Sequence, residues 1–77
     1  MQDKPKNENM IYKRLRIRRN ELGLSQAATA VALQKIGIHL SQQDISRIER
    51  NKRFVLDFEL IGFARILQIP PKDLFDV

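Results

Sequence analysis

Cysteine is absent from the 77-residue chain, so neither a disulfide framework nor a thiolate metal site can hold it together, and its fold has to rest on apolar packing. A reducing cytoplasm suits such a chain. No apolar run approaches the ~18 residues that a membrane span needs, and the opening Met1 to Asn9 is polar rather than signal-like, so a soluble intracellular protein with no membrane partner is expected. Histidine occurs once, at His39, which leaves a zinc site without a second imidazole or thiolate. His39 reads as a loop residue, placed near a phosphate if it has a role. No glycine-rich phosphate loop occurs, and no base stands beside Ser25 or Ser41 to make either a nucleophile. Asp57 and Glu59 are two apart, a spacing that points helical side chains away from each other and defeats shared acid-base work, leaving them capping and dipole roles. Length allows one small domain, which buries only about 60% of its unfolded surface and has no room for a deep catalytic cleft. No catalytic residue and no cofactor is expected.

Acidic residues are also scarce: 14 Lys and Arg face 9 Asp and Glu, a net charge of +5. The imbalance is local. Residues 10 to 53 hold ten bases and three acids, whereas residues 54 to 77 hold two and four. Seven of those ten bases are arginine, whose forked guanidinium suits phosphate and base edges. Concentrated basic charge on a small domain marks a surface that neutralises phosphates and releases their counterions; a solvated basic face is the alternative.

Residues 1 to 9 contain Pro5, alternate charges and show no apolar period, which predicts a mobile arm, with one folded domain over 10 to 77. Ile11, Leu15 and Leu22 then recur at helical spacing until Gly23. Ser25 is placed to cap a second helix running through Ala27, Ala28, Ala30, Ala32 and Leu33 to about Ile36, where Gly37 stops it. Ser41 with Asp44 three residues on matches a capping box, and Ile45 and Ile48 give a third helix its inward stripe. Asp57 is expected to cap a fourth helix with an apolar face of Leu60, Ile61, Phe63, Ala64 and Leu67. Pro70 and Pro71 close it, and Leu74 and Phe75 of a short fifth helix are expected to seal the core. The pattern is all-α.

Two charges fall on inward faces: Arg19, four residues after Leu15, and Glu49, four after Ile45. Either one buried alone would cost several kcal/mol, so pairing is the economical inference, with Arg19 snorkelling to the surface as the alternative. The other side of the third helix shows Gln42, Gln43, Ser46, Arg47 and Arg50, and none of these is apolar. Such a row of amides, a hydroxyl and guanidinia suits base edges, since glutamine can bond adenine N6 and N7 and arginine guanine O6 and N7. Asn51, Lys52 and Arg53 follow, placed for the sugar-phosphate backbone.

Three stretches, LRIRRNELGLSQ (Leu15 to Gln26), SQQDISRIERNKR (Ser41 to Arg53) and FELIGFARILQIPPKDLF (Phe58 to Phe75), together resemble the helix-turn-helix domain of the Cro and phage-repressor family, also called the XRE family. The resemblance implies a compact five-helix, lambda-repressor-like domain in which helices two and three form the reading unit. It implies that Gln42, Gln43 and Arg47 enter the major groove, and Ser46, in the same polar row, is expected beside them as a base contact. Phosphate contacts are expected of Gln26, as of Ser41, Arg50, Asn51, Lys52 and Arg53, and the Arg19 and Glu49 pair matches a family feature. The function implied is a bacterial or phage-type transcriptional regulator of double-stranded DNA, most often a repressor, binding two half-sites as two copies. An antitoxin-like or immunity interaction module and a nonspecific nucleic-acid binder are the alternatives. Two departures stand out: the spacing from the LSQ word to the cap of the third helix exceeds the family's commonest form by about five residues, read as one further turn on helix two plus a longer connection, and Asn51 stands where glycine is frequent.

Overall fold

Helices in this chain stop for a shared reason. In each of the four longer ones the chain turns left-handed at one residue, Gly23, Gly37, Asn51 and Gln68, with φ of 72°, 88°, 58° and 59°. The next amide then reaches back five residues: Leu24 to Arg19 (3.0 Å), Ile38 to Leu33 (2.9 Å), Lys52 to Arg47 (2.7 Å) and Ile69 to Ala64 (2.9 Å). This is the Schellman arrangement, which satisfies carbonyls that the helix end leaves without donors. Glycine meets no Cβ penalty at such a position and asparagine little, whereas Gln68 adopts it as an exposed non-glycine residue.

The structure, a computed structural model, describes residues 6–74, with side chains from 11 to 70 and at 72 and 73. Helix α1 spans Lys6–Glu21, α2 Gln26–Lys35, α3 Gln42–Glu49 and α4 Asp57–Leu67, and a single turn, α5, spans Pro71–Leu74. The described residues are all-helical, without a strand. A radius of gyration of 12.0 Å lies close to the ~11.5 Å expected of a compact folded chain of this length.

Helix α1 begins at Lys6 rather than Met10, because Lys6 to Asn9 holds no apolar residue from which a period could be read. The rest of the expected arm, residues 1–5, lies outside the described residues. So do Phe75 and the side chain of Leu74, assigned from sequence to the base of the core.

Ser25 caps α2 by accepting the Ala28 N–H at 2.9 Å. The inward stripe of α2 is Thr29 and Leu33, both fully buried, with Ala30 packed against the core beside them. Thr29 is tolerated there because its hydroxyl donates to the Ser25 carbonyl at 2.9 Å. Residues 36–41 connect α2 to α3, and Ile38 and Leu40 plunge into the core while His39 between them faces outward. The long connection is therefore anchored twice along its length.

Helix α4 starts one residue earlier than its expected cap: Leu56 occupies the capping position and Asp57 is the first helical residue. Leu60, Phe63, Ala64 and Leu67 are buried, whereas Ile61 is 54% exposed. Five apolar side chains over eight positions span too wide an arc to be covered by one core. Gly62 lies against the α2–α3 connection so closely that a Cβ there would overlap Ile38 Cδ1. That approach lets α4 close the core beneath α2 and α3.

Candidate nucleic-acid interface

A helix of eight residues has little intrinsic stability, so the orientation of α3 is set by its two ends and its inward face. At the start, Ser41 and Asp44 satisfy one another: the Ser41 N–H donates to Asp44 Oδ2 and the Asp44 N–H to Ser41 Oγ, both at 3.0 Å. Hydrogen bonding to its carboxyl from the Ser41 backbone N–H, then from the Ser41 hydroxyl, and next the Arg53 and Arg47 charges, lower the Asp44 pKa from its ordinary value. Ile45 and Ile48 are buried in the middle.

Near its end, the inward charge of α3 meets that of α1. Arg19 Nε stands 2.6 Å from Glu49 Oε2 and Nη2 2.9 Å from Oε1, a forked pair, with side chains 11% and 5% exposed. Arg19 Nη1 also donates to the Leu24 carbonyl at 2.8 Å. The hydrogen bond to Glu49 raises the Arg19 pKa further, against the effect of burial. Gln26 Nε2 adds a third donor to the carboxylate, 3.1 Å from Oε1. One carboxylate thus joins α1, the first residue of α2 and α3.

With Ile45, Ile48 and Glu49 inward, Gln42, Gln43, Arg47 and Arg50 are exposed and Ser46 is half-buried. These five fall within one arc of α3 and form a wholly polar face. Asn51 and Lys52, at the left-handed turn that follows, are exposed as well. His39 faces solvent in a shallow hollow with Gln34, Ser41 and Asp44.

Two residues expected at phosphates are engaged within the protein more fully than Gln26 and Arg50, which give one N–H each, to Glu49 and to the Ser46 carbonyl. Arg53 makes a second forked pair, Nη1 to Glu59 Oε1 at 3.0 Å and Nη2 to Oε2 at 3.3 Å, with Asp44 Oδ1 3.8 Å from its Nε. Glu59 is buried and also accepts the Leu56 N–H at 3.0 Å, so it closes the start of α4 and clamps the preceding loop. The Arg53 pKa is raised, first by the bond to Glu59. Ser41 has its N–H and hydroxyl oxygen occupied by the α3 cap.

Helix α1 divides its bases in the same manner. Arg14 Nη1 donates to the Asp73 carbonyl at 2.7 Å and Arg18 Nε to the Leu67 carbonyl at 2.9 Å, tying α1 to α5 and to the end of α4. Lys13 and Arg16 are exposed and make no hydrogen bond or ion pair with another described residue. They line a concave surface with Tyr12, Glu49, Arg50 and Asn51. Sequence reasoning did not single them out, because only the three-dimensional course of α1 across the end of α3 brings them beside it.

No group of three or more metal-ligating side chains exists among the described residues, and no described helix is long and apolar enough to cross a membrane. No protein-family profile, no curated protein and no solved structure matches the chain.

Proposed function

We propose that this chain is a sequence-specific double-stranded DNA-binding transcriptional regulator with a five-helix, lambda-repressor-like fold of the Cro and phage-repressor type. It works in the cytoplasm, laying α3 in the major groove and repressing by covering a promoter. The observation that carries this reading is the outward face of α3: two amides, a hydroxyl and two guanidinia, with no apolar side chain, on a helix fixed from behind by Ile45, Ile48 and Glu49. A merely solvated helix has no need of adjacent glutamines at its start, whereas Gln42, Gln43, Ser46 and Arg47 suit base edges. Gln26, Arg50, Asn51 and Lys52 flank that face and suit phosphates. Arg53 and Ser41 are left out of the set because their polar atoms serve the protein itself. Two copies bind together on paired half-sites, and the exposed Phe58 and Ile61 of α4 supply apolar surface for that pairing. The chemistry requires no cofactor.

Selection of bound duplexes from a random pool, followed by affinity measurements on the selected and a random duplex across a salt series, tests this. Discrimination of at least roughly a thousandfold is expected. Gln43→Ala and Arg47→Ala should each cost about 1 to 3 kcal/mol on the selected duplex and relax preference at one base position. A ratio near one would remove the reading in favour of nonspecific binding.

A second reading draws on Phe54, 81% exposed, together with the exposed Leu56, Phe58 and Ile61, an unusual amount of apolar surface on so small a domain. They suit an interaction module of antitoxin or immunity type. Absence of duplex preference together with a stable complex with a second protein would favour it.

A further inference from the structure

Like charges gathered on a folded surface repel, and this chain gathers them in one place while tying down most of its other arginines. Lys13 and Arg16 are three apart on α1, a spacing that puts two cations side by side on the helix surface and destabilises it. Arg50 and Asn51 close the other side of the same concavity, and Lys52 lines the one beside it, which shares Tyr12 and Asn51. The buried Tyr12 forms part of the floor of both. Among the described residues, the one carboxylate bordering this surface is Glu49, whose charge is already paired with Arg19 and which also accepts from Gln26. Acceptors were available to α1: Arg14 and Arg18 found carbonyls, and Arg19 a carboxylate. Lys13 and Arg16, both exposed, make no hydrogen bond or ion pair with another described residue.

We infer that the concave surface between α1 and the end of α3 is a second backbone grip, in which Lys13 and Arg16 hold phosphodiester oxygens next to those met by Arg50, Asn51 and Lys52. This rests on the DNA-binding reading above and extends the protein's footprint from the helix-turn-helix unit onto α1. The ligand chemistry is a run of phosphates at fixed spacing rather than a single anion: the cations are spread along a ledge on two elements, and no polar side chain closes around one point.

The test compares the wild-type chain with Lys13→Gln/Arg16→Gln and with a charge-matched control, Arg65→Gln/Lys72→Gln, on the selected and random duplexes across a salt series. All four positions are exposed, and glutamine keeps helix propensity, so the melting temperatures should agree. At ~0.9 unit per phosphate, the first variant should lower the salt slope by about 1.8 units and weaken both duplexes alike by roughly tenfold to thirtyfold at physiological salt, with base preference kept. The control should leave the slope unchanged. An unchanged slope in Lys13→Gln/Arg16→Gln, or an equal drop in the control, would overturn the grip while leaving the α3 assignment standing. Competition by inorganic phosphate beyond its ionic strength would give the surface to a free anion and overturn it too. A wild-type chain without duplex preference would overturn the grip together with the reading beneath it.

Discussion

Lys52 and Arg53 are neighbours in sequence and carry the same formal charge, yet the fold treats them as opposites. Lys52 projects into solvent from the turn that ends α3; Arg53 is clamped by Glu59 and approached by Asp44. The same division runs through α1, where Arg14, Arg18 and Arg19 bind the protein itself and Lys13 and Arg16 do not. Positive charge summed along the chain therefore overstates what is presented to a polyanion, since four of the ten bases between residues 10 and 53 act as internal fasteners. Planar guanidinium explains why all four fasteners are arginine: it bonds carboxylates bidentately and reaches carbonyls without losing its charge.

The largest way to break this contrast is Glu49→Ala. It strands the Arg19 guanidinium with only the Leu24 carbonyl and should lower stability by about 3 to 5 kcal/mol, read as a large fall in urea midpoint. An unchanged midpoint would mean that the pair contributes nothing. Next comes Arg53→Ala, expected to cost about 2 kcal/mol of stability because Glu59 is left buried and short of donors. Its salt slope on duplex DNA should stay at the wild-type value; a lowered slope would move Arg53 back among the phosphate contacts. Lys52→Ala inverts that outcome, with stability held within about 0.5 kcal/mol and the slope reduced by about one unit. The smallest effect concerns Asp44. Its carboxyl has a depressed pKa in the folded chain, so its contribution is complete above the ordinary aspartate value of ~3.9 and disappears as pH falls through the lower folded value. Partial exposure keeps that contribution near ~0.5 kcal/mol. Wild type and Asp44→Asn should differ by that much at neutral pH and unfold alike in strong acid; a gap persisting there would assign the effect to something other than the ionised cap.

Features made by residues close together in sequence were legible before any coordinates. Ser25, the Ser41 and Asp44 box, and the stops at Gly23 and Gly37 each act within a few residues, and a local pattern carries them in full. Arg19 and Glu49 could be matched across 30 residues because each was a charge on an otherwise apolar face. What sequence did not reveal lacks that kind of mark. Arg14 and Arg18 reach main-chain carbonyls 59 and 49 residues away, and a carbonyl leaves no trace in the residue letters. Glu59 reads from sequence as a capping residue and does close the start of α4 by accepting the Leu56 N–H, but its burial and its forked pair with Arg53 leave no mark of that kind. Ile61 illustrates the opposite error: apolar character alone did not say which of five such side chains would be left outside.

Gln26 takes its position from the carboxylate that binds Arg19 to α3. A carboxamide nitrogen bears two hydrogens, and Glu49 occupies one. The side chain is thereby stopped from swinging through its other rotamers, and the second hydrogen is kept at a set bearing at the mouth of α2. Much of the entropy that a loose glutamine loses on meeting an anion has already been lost during folding. Glu49 thus joins mechanical coherence to readiness at the surface: loosening the joint would also blunt a donor 23 residues away in the sequence.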